Sequence, residues 1–187
     1  MSMKLVILGL LMEADSHPYE MRQKMKERAM LHYIKMQEGS LYYAIDTLAK
    51  SGAVEQAATL KDSGRPDRTV YRITEAGKQL FHELLDGQFA DTKMVYHPLY
   101  AALAFARYGN QERIYEQLQI KLEEQRRAVS SLQEVYHSHI DEVPRSVLHM
   151  MKGRLEHAEV ELRWLERLAA DAREDKLKDV GQPIEDH

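Results

Sequence analysis

The chain contains no cysteine, one tryptophan, three phenylalanines and five prolines in 187 residues. Zero cysteine excludes disulfides, a thiolate nucleophile and cysteine-ligated zinc, and it fits a reducing, cytoplasmic setting. Long hydrophobic runs are missing too: no stretch reaches the roughly 18 apolar residues that a membrane-spanning helix needs. The N-terminal MKLVILGLLMEA is short, lacks a small-residue cleavage site and passes straight into amphipathic sequence. It therefore reads as a helix and not as a targeting leader. An excess of positive charge is also lacking, since the formal net charge is −4; the protein is not coated in positive potential. Residues 1–87 carry 12 Lys and Arg against 12 Asp and Glu, and the remainder carry 14 against 18. Any polyanion must be bound by local placement of cations in the neutral first half.

Signatures of catalysis are absent as well. The sequence has no glycine-rich phosphate loop, no nucleophile elbow, no HExxH and no Ser/His/Asp set that spacing nominates. Its nine histidines form no metal set. His137 and His139 are two apart and diverge on a helix, and His157 with Glu161 would supply only two ligands. The expectation is a protein that is not an enzyme and that needs no metal and no cofactor.

What is present is a succession of helical periods broken once by a hairpin. With 44% hydrophobic and 30% charged residues, the chain suits one or two globular units with a real core. Leu5, Leu8, Leu11 and Met12 mark a first helix over 4–13. Ser16 or His17 can cap a second, with Pro18 at its first position. It runs to about Ala29 with Tyr19, Met21 and Met25 inward. A third helix, from about Glu38 to Ser51, places Leu41, Ala44, Ile45 and Leu48 on one face, and Gly52 stops it. Gly39, Tyr43, Asp46, Thr47 and Lys50 fall opposite, with Ser40 and Tyr42 on the flanks. A large aromatic such as Tyr43 on that polar face has no core to enter.

Two short strands follow, over 53–59 and 69–74, joined by the nine residues LKDSGRPDR. That connection is far longer than the usual hairpin loop. Thr74 caps a fourth helix. Further on, 97–109 reads as helix ending at Gly109, and Asn110 caps a long one. Apolar positions at 114, 118, 122, 129, 132 and 136, with Gln125 between, match in spacing those at 147, 151, 155, 158, 162, 165 and 169. Such a seam predicts an antiparallel helical hairpin whose surplus apolar surface pairs with a second copy. Leu118, Leu122, Leu132, Met151, Leu155, Leu162 and Leu165 are the candidate dimerisation residues. The predicted organisation is an N-terminal unit over 1–88, a helical unit over 89–172 and a charged, flexible tail over 173–187.

Three helices, a strand, a long loop and a strand are the order of a winged helix-turn-helix. The fold class expected is mainly α with a small β-hairpin. In that architecture the third helix enters the major groove and the loop becomes a wing along the DNA backbone. Arginines suit phosphate or a narrow minor groove, glycine permits close approach, and proline stiffens a tip. The candidate DNA-contacting residues are Ser40, Tyr42, Tyr43, Thr47 and Lys50 on the helix, and Lys61, Gly64, Arg65 and Arg68 in the wing. The plainer alternatives are a solvated surface loop, and a Tyr42 that packs at the core edge. Trp164, beside the seam residue Leu165, is either core packing or, with Tyr100, the wall of a small-molecule pocket.

KLVILGLLMEADSHPYEMRQKM, EGSLYYAIDTLAKSGAVE and GRPDRTVYRITEAGKQL, in this order, resemble the PadR family of bacterial transcriptional regulators over roughly residues 4–86. The helical region from about 92 to 172 resembles the longer subgroup with a separate C-terminal dimerisation domain. The resemblance implies a homodimeric, usually repressing protein that binds a pseudo-palindromic operator in double-stranded DNA near detoxification or efflux genes. It also implies a small effector, often phenolic or hydrophobic, that alters DNA binding. Ser40 and Tyr42 occupy the family's GSLY positions, and Gly64, Arg65 and Arg68 its GRPxR wing. Tyr43 stands where the family often has proline. Two other readings, a hydrophobic-ligand sensor and a helical interaction protein, would lack operator-specific DNA binding.

Overall fold

A computed structural model describes residues 3–28, 30, 39–60, 68–92 and 97–184. The chain divides into two compact units, 1–94 and 95–187. The first holds α1 (Met3–Glu13), α2 (Pro18–Glu27), α3 (Ser40–Lys50), β1 (Val54–Leu60), β2 (Arg68–Ile73) and α4 (Glu75–Phe89). A mainly helical chain with one small antiparallel hairpin is what the residue pattern predicts.

α1 is apolar nearly all round, and a helix of that kind is stable only when surrounded. It packs against α3, α4 and β2. Ile7, Leu8, Leu10 and Leu11 are buried with Met21 and Met25 of α2 and Leu41, Ala44, Ile45 and Leu48 of α3. Burying each large apolar side chain contributes roughly 1.5–3 kcal/mol, offset by chain entropy. Tyr19, expected inward, is exposed. The buried stripe of α2 is Pro18, Met21 and Met25, and Tyr19 lies about 200° around the helix from Met21.

The turn between α1 and α2 resolves which residue caps. His17 Nδ1 accepts from the Tyr19 amide at 3.1 Å, while Glu20 Oε2 accepts from the His17 amide at 3.0 Å. Ser16 is buried and serves the sheet instead. It forms an antiparallel bridge to Tyr71, each amide donating to the other's carbonyl at 3.1 Å. β2 is thus held on one edge by β1, from Val54↔Ile73 to Leu60↔Arg68, and on the other by Ser16. A bulge between Gln56 and Ala58 shifts the register of β1.

Gly52 ends α3 at φ 74°, a left-handed conformation that costs glycine little. Thr74 then joins three segments. Its Oγ1 accepts from the Gly77 amide at 3.1 Å and donates to the Gly52 carbonyl at 2.7 Å, and its own amide donates to the Ala53 carbonyl at 3.1 Å. Gly77 is needed here because a Cβ at that position would lie 2.0 Å from the Ala53 carbonyl oxygen.

In the second unit, 97–109 is not one helix. It forms α5 (Tyr100–Leu103) and a single 3-10 turn, Ala106–Tyr108. Leu99 and Leu103 pack against the core of this unit, whereas Tyr100, Phe105 and Tyr108 are exposed. With no apolar stripe to continue inward, the backbone turns at Phe105 (φ −120°, ψ 5°), and Gln111 Nε2 donates to the Ala106 carbonyl at 3.1 Å.

Asn110 caps α6 (Gln111–Ser138), its Oδ1 accepting from the Arg113 amide at 3.0 Å. α6 and α7 (Arg145–Arg173) pack on each other as a hairpin. Every predicted seam position faces inward, and none is exposed. The polar member, Gln125, donates across the seam to the Ala158 carbonyl at 2.9 Å. Beyond α7, Leu177 of the turn Lys176–Lys178 packs against the same core. Among the described residues no helix is long and apolar enough to cross a membrane.

Candidate nucleic-acid interface

The buried face of α3 fixes what its other face presents. With Leu41, Ala44, Ile45 and Leu48 inside, Tyr43, Asp46 and Lys50 turn outward and Thr47 sits at the margin. Tyr43 is 75% exposed and Tyr42 57%, so neither is a core residue. Ser40 is half-buried at the start of the helix.

Local bonds set the chemistry of this face. Thr47 Oγ1 donates to the Tyr43 carbonyl one turn back, at 2.8 Å. Its proton is therefore engaged, which leaves the oxygen as acceptor and the methyl as an apolar contact. Lys50 Nζ lies 2.7 Å from Asp46 Oδ2 at i,i+4 spacing. Hydrogen bonding and charge from Asp46 raise the ammonium pKa above its ordinary value, so Lys50 stays cationic. The surface is thus aromatic and dipolar more than basic.

Of the wing candidates, Lys61, Gly64 and Arg65 lie outside the described residues. Arg68 opens β2, its backbone paired with Leu60. The strand that carries it is firmly held. Besides the Ser16 bridge, Arg72 grips Asp15 with both ends of its guanidinium, Nε at 2.9 Å and Nη2 at 2.6 Å from Oδ2. The sequence did not mark Asp15 and offered Ser16 only as a cap, because their partners lie more than fifty residues away.

The dimerisation candidates divide into two groups. Leu118, Leu122, Leu155 and Leu165 are buried within one chain, whereas Leu132, Met151 and Leu162 are half-buried. The buried residues close the hairpin and have no surface left to offer. α6 and α7 use the seam on each other, as the predicted hairpin requires, and the surplus surface lies with the half-buried members. Ile120 and Val160 of the same hairpin are exposed.

The pocket candidates do come together. Tyr100 and Trp164 lie edge to face with ring centres 6.2 Å apart, and His97, which sequence reasoning missed, stands 4.8 Å from Trp164. His97 Nδ1 accepts from the Leu99 amide at 3.2 Å, which leaves Nε2 to donate to Glu161 Oε1 at 3.1 Å. Glu161 therefore pairs with His97 and not with His157, and among the described residues no metal-binding cluster occurs. On the same helix, Trp164, Arg167, Leu168 and Asp171, with Ile184, line a cavity of about 250 Å³. Trp164 both packs against the core and borders this cavity, whereas Tyr100 is not among the lining residues.

Residues 7–83 match the transcriptional regulator PadR-like family. The match lies within the first unit, which is PadR-like in sequence. No curated protein matches the sequence. Bacillus subtilis PadR in complex with operator DNA is 19% identical, with a TM-score of 0.74 over 90% of this chain and 98% of that one. The same regulator in complex with p-coumaric acid gives 19% and 0.73 over 91% and 98%. The Vibrio cholerae virulence activator AphA gives 21% and 0.74 over 92% and 99%. At these identities the likeness is one of fold. The chain thus has a winged-helix unit and long C-terminal helices that pack together.

Proposed function

We propose that this PadR-like chain is a cytoplasmic, homodimeric transcriptional repressor that holds a pseudo-palindromic operator and lets go when a small phenolic or hydrophobic compound binds. The observation that carries this reading is the outward face of α3. Two exposed tyrosines, a hydroxyl and a charge pair stand on a helix whose opposite face is anchored in the core, in the same unit as a strand fixed on both edges. In this reading Tyr43 and Thr47, with Ser40, meet base edges. Tyr42, Lys50 and the wing residues Lys61, Gly64, Arg65 and Arg68 hold the backbone and set register. Two copies place two such units on the half-sites.

The effector half rests on a second observation. The cavity beside Trp164 has an aromatic wall and a guanidinium whose Nε is buried without a partner among the described residues. Such a lining suits an aromatic ring bearing an acceptor. The compound can shift DNA affinity only by its differential affinity for two states of the protein.

The test is selection of binding sites from random DNA, followed by Arg65→Ala with Arg68→Ala. The double substitution should weaken binding to all sequences alike. It should also flatten the dependence of log K on log salt by about 0.9 for each phosphate that is no longer neutralised. An unchanged salt slope would remove the wing from the interface. Monomers in light scattering, or a chain that selects no DNA sequence, would favour the helical interaction protein or ligand sensor instead. Reporter transcription with and without the selected site fixes the sign of regulation.

A further inference from the structure

Asp46 poses a problem that the regulator reading leaves unsolved. It stands between Tyr43 and Lys50 on the outward face of α3, and its side chain is 57% exposed. A carboxylate on a surface that meets a polyanion is repelled by phosphate. An exposed i,i+4 ion pair does little for stability, so helix support is a weak reason for it to be there. Thr47 has its proton on the Tyr43 carbonyl, which leaves Asp46 as the strong acceptor of this face.

The major groove offers a carboxylate few partners. Phosphates, guanine N7 and O6, thymine O4 and adenine N7 are all acceptors. Adenine N6 is a donor, but the neighbouring N7 acceptor opposes a second carboxylate oxygen. Cytosine N4 is a donor, and in its base pair it lies beside guanine O6. An Asp46 oxygen bonded to the Lys50 ammonium at 2.7 Å presents an acceptor and a donor side by side, the mirror of that edge. The pairing also cancels the carboxylate's charge, which allows it to approach DNA.

We infer that Asp46, held and neutralised by Lys50, is a specificity residue of α3 that reads a C·G base pair by accepting a hydrogen bond from the cytosine amino group. This moves Lys50 from the backbone-holding group above into the reading unit, where it faces guanine O6, and the phosphate grip falls to Tyr42 and the wing. The inference rests on the proposed DNA-binding function.

Selection from random DNA with the full-length wild type, Asp46→Asn and Asp46→Ala tests it. Position 46 is exposed on a helix, and alanine is a better helix former than aspartate, so the variants fold. The wild type should require C·G at one position per half-site, where other pairs weaken binding roughly tenfold. Asp46→Asn should move that preference to A·T, because an amide pairs bidentately with adenine N6 and N7. Asp46→Ala should level the position and, by freeing Lys50 for phosphate, steepen the salt slope by about 0.9 per protomer. If all three proteins select the same motif, or Asp46→Ala changes affinity equally at every sequence, Asp46 reads no base. If the wild type itself selects no motif, the regulator reading fails first and this inference falls with it.

Discussion

In the first unit one helix is enclosed, whereas in the second two helices face each other. α1 buries residues on several sides against α3, α4 and β2, so its core is assembled from elements far apart in sequence. α6 and α7 bury a single seam, with a compact cluster around Leu118, Leu122, Leu165, Leu168, Ala169 and Ala172. An enclosed core fixes each element from several directions and transmits any misfit, because packed interiors have little room to give. A seam is closer to a zip, in which a fault at one position is felt mainly by its neighbours. The unit that must hold a reading helix and a wing strand in register has the enclosed design.

The largest expected effect exploits that rigidity. Gly77→Ala would set a methyl group 2.0 Å from the Ala53 carbonyl oxygen and 2.8 Å from Ile73 Cγ1. The nearer obstacle is backbone, so moving the Ile73 side chain cannot by itself make room. We expect a loss of about 3 kcal/mol or more, at or above the upper end of ordinary overpacking. The only tryptophan, Trp164, lies in the second unit, so its fluorescence follows α7 while circular dichroism follows both units. A substitution that lowers the circular dichroism transition and leaves the Trp164 transition in place would establish the contrast. Equal shifts in both signals would abolish it.

The seam predicts a smaller and local response. Gln125 Nε2 donates to the Ala158 carbonyl at 2.9 Å, in a row whose other members are apolar or small. That carbonyl sits inside α7, where the helix ladder already supplies a partner. Gln125→Ala therefore removes one hydrogen bond without stranding an acceptor, and should cost about 1 kcal/mol. Here the order of the probes reverses: Trp164 should report the loss, and the first unit should not. A loss above about 3 kcal/mol would mean that the hairpin behaves as an enclosed core and not as a zip.

How much of this was legible in the sequence follows the same division. Seam residues repeat at fixed spacing along one helix after another, so Leu118 and Leu165 could be placed inside from periodicity alone. α3 was equally readable: four apolar residues define its inner face, and Tyr43 falls outside by subtraction. What escaped was set by partners distant in sequence. Ser16 read as a cap until Tyr71 claimed both of its backbone groups. The 97–109 segment read as one helix because its composition is helical, but only Leu99 and Leu103 found a core to enter. The seam's periodicity says that apolar residues share a face and does not say whose face they meet. The candidate interface was legible for α3, while the fastening of β2 through Asp15 and Ser16 was not.

The smallest effect concerns acid. Glu13, at the end of α1, accepts from Arg28 through both oxygens, at 2.5 and 2.7 Å. Those hydrogen bonds first, and the charges of Arg28 and Lys24 as well, hold its carboxyl below the ordinary 4.5. Because the folded pKa is the lower one, the pair's contribution is fully present above about 4.5 and fades as pH falls through the depressed value. Both side chains are 44% exposed, so solvent screening keeps the contribution below about 1 kcal/mol. Glu13→Gln should lower the circular dichroism transition slightly at pH 7, and the difference from wild type should shrink as pH falls below 4.5 and through the lowered value. Trp164 fluorescence should not register it at either pH. A gap that persisted in acid would mean that Glu13 acts by packing and not by its charge. A gap seen equally in Trp164 would mean that the two units do not respond separately.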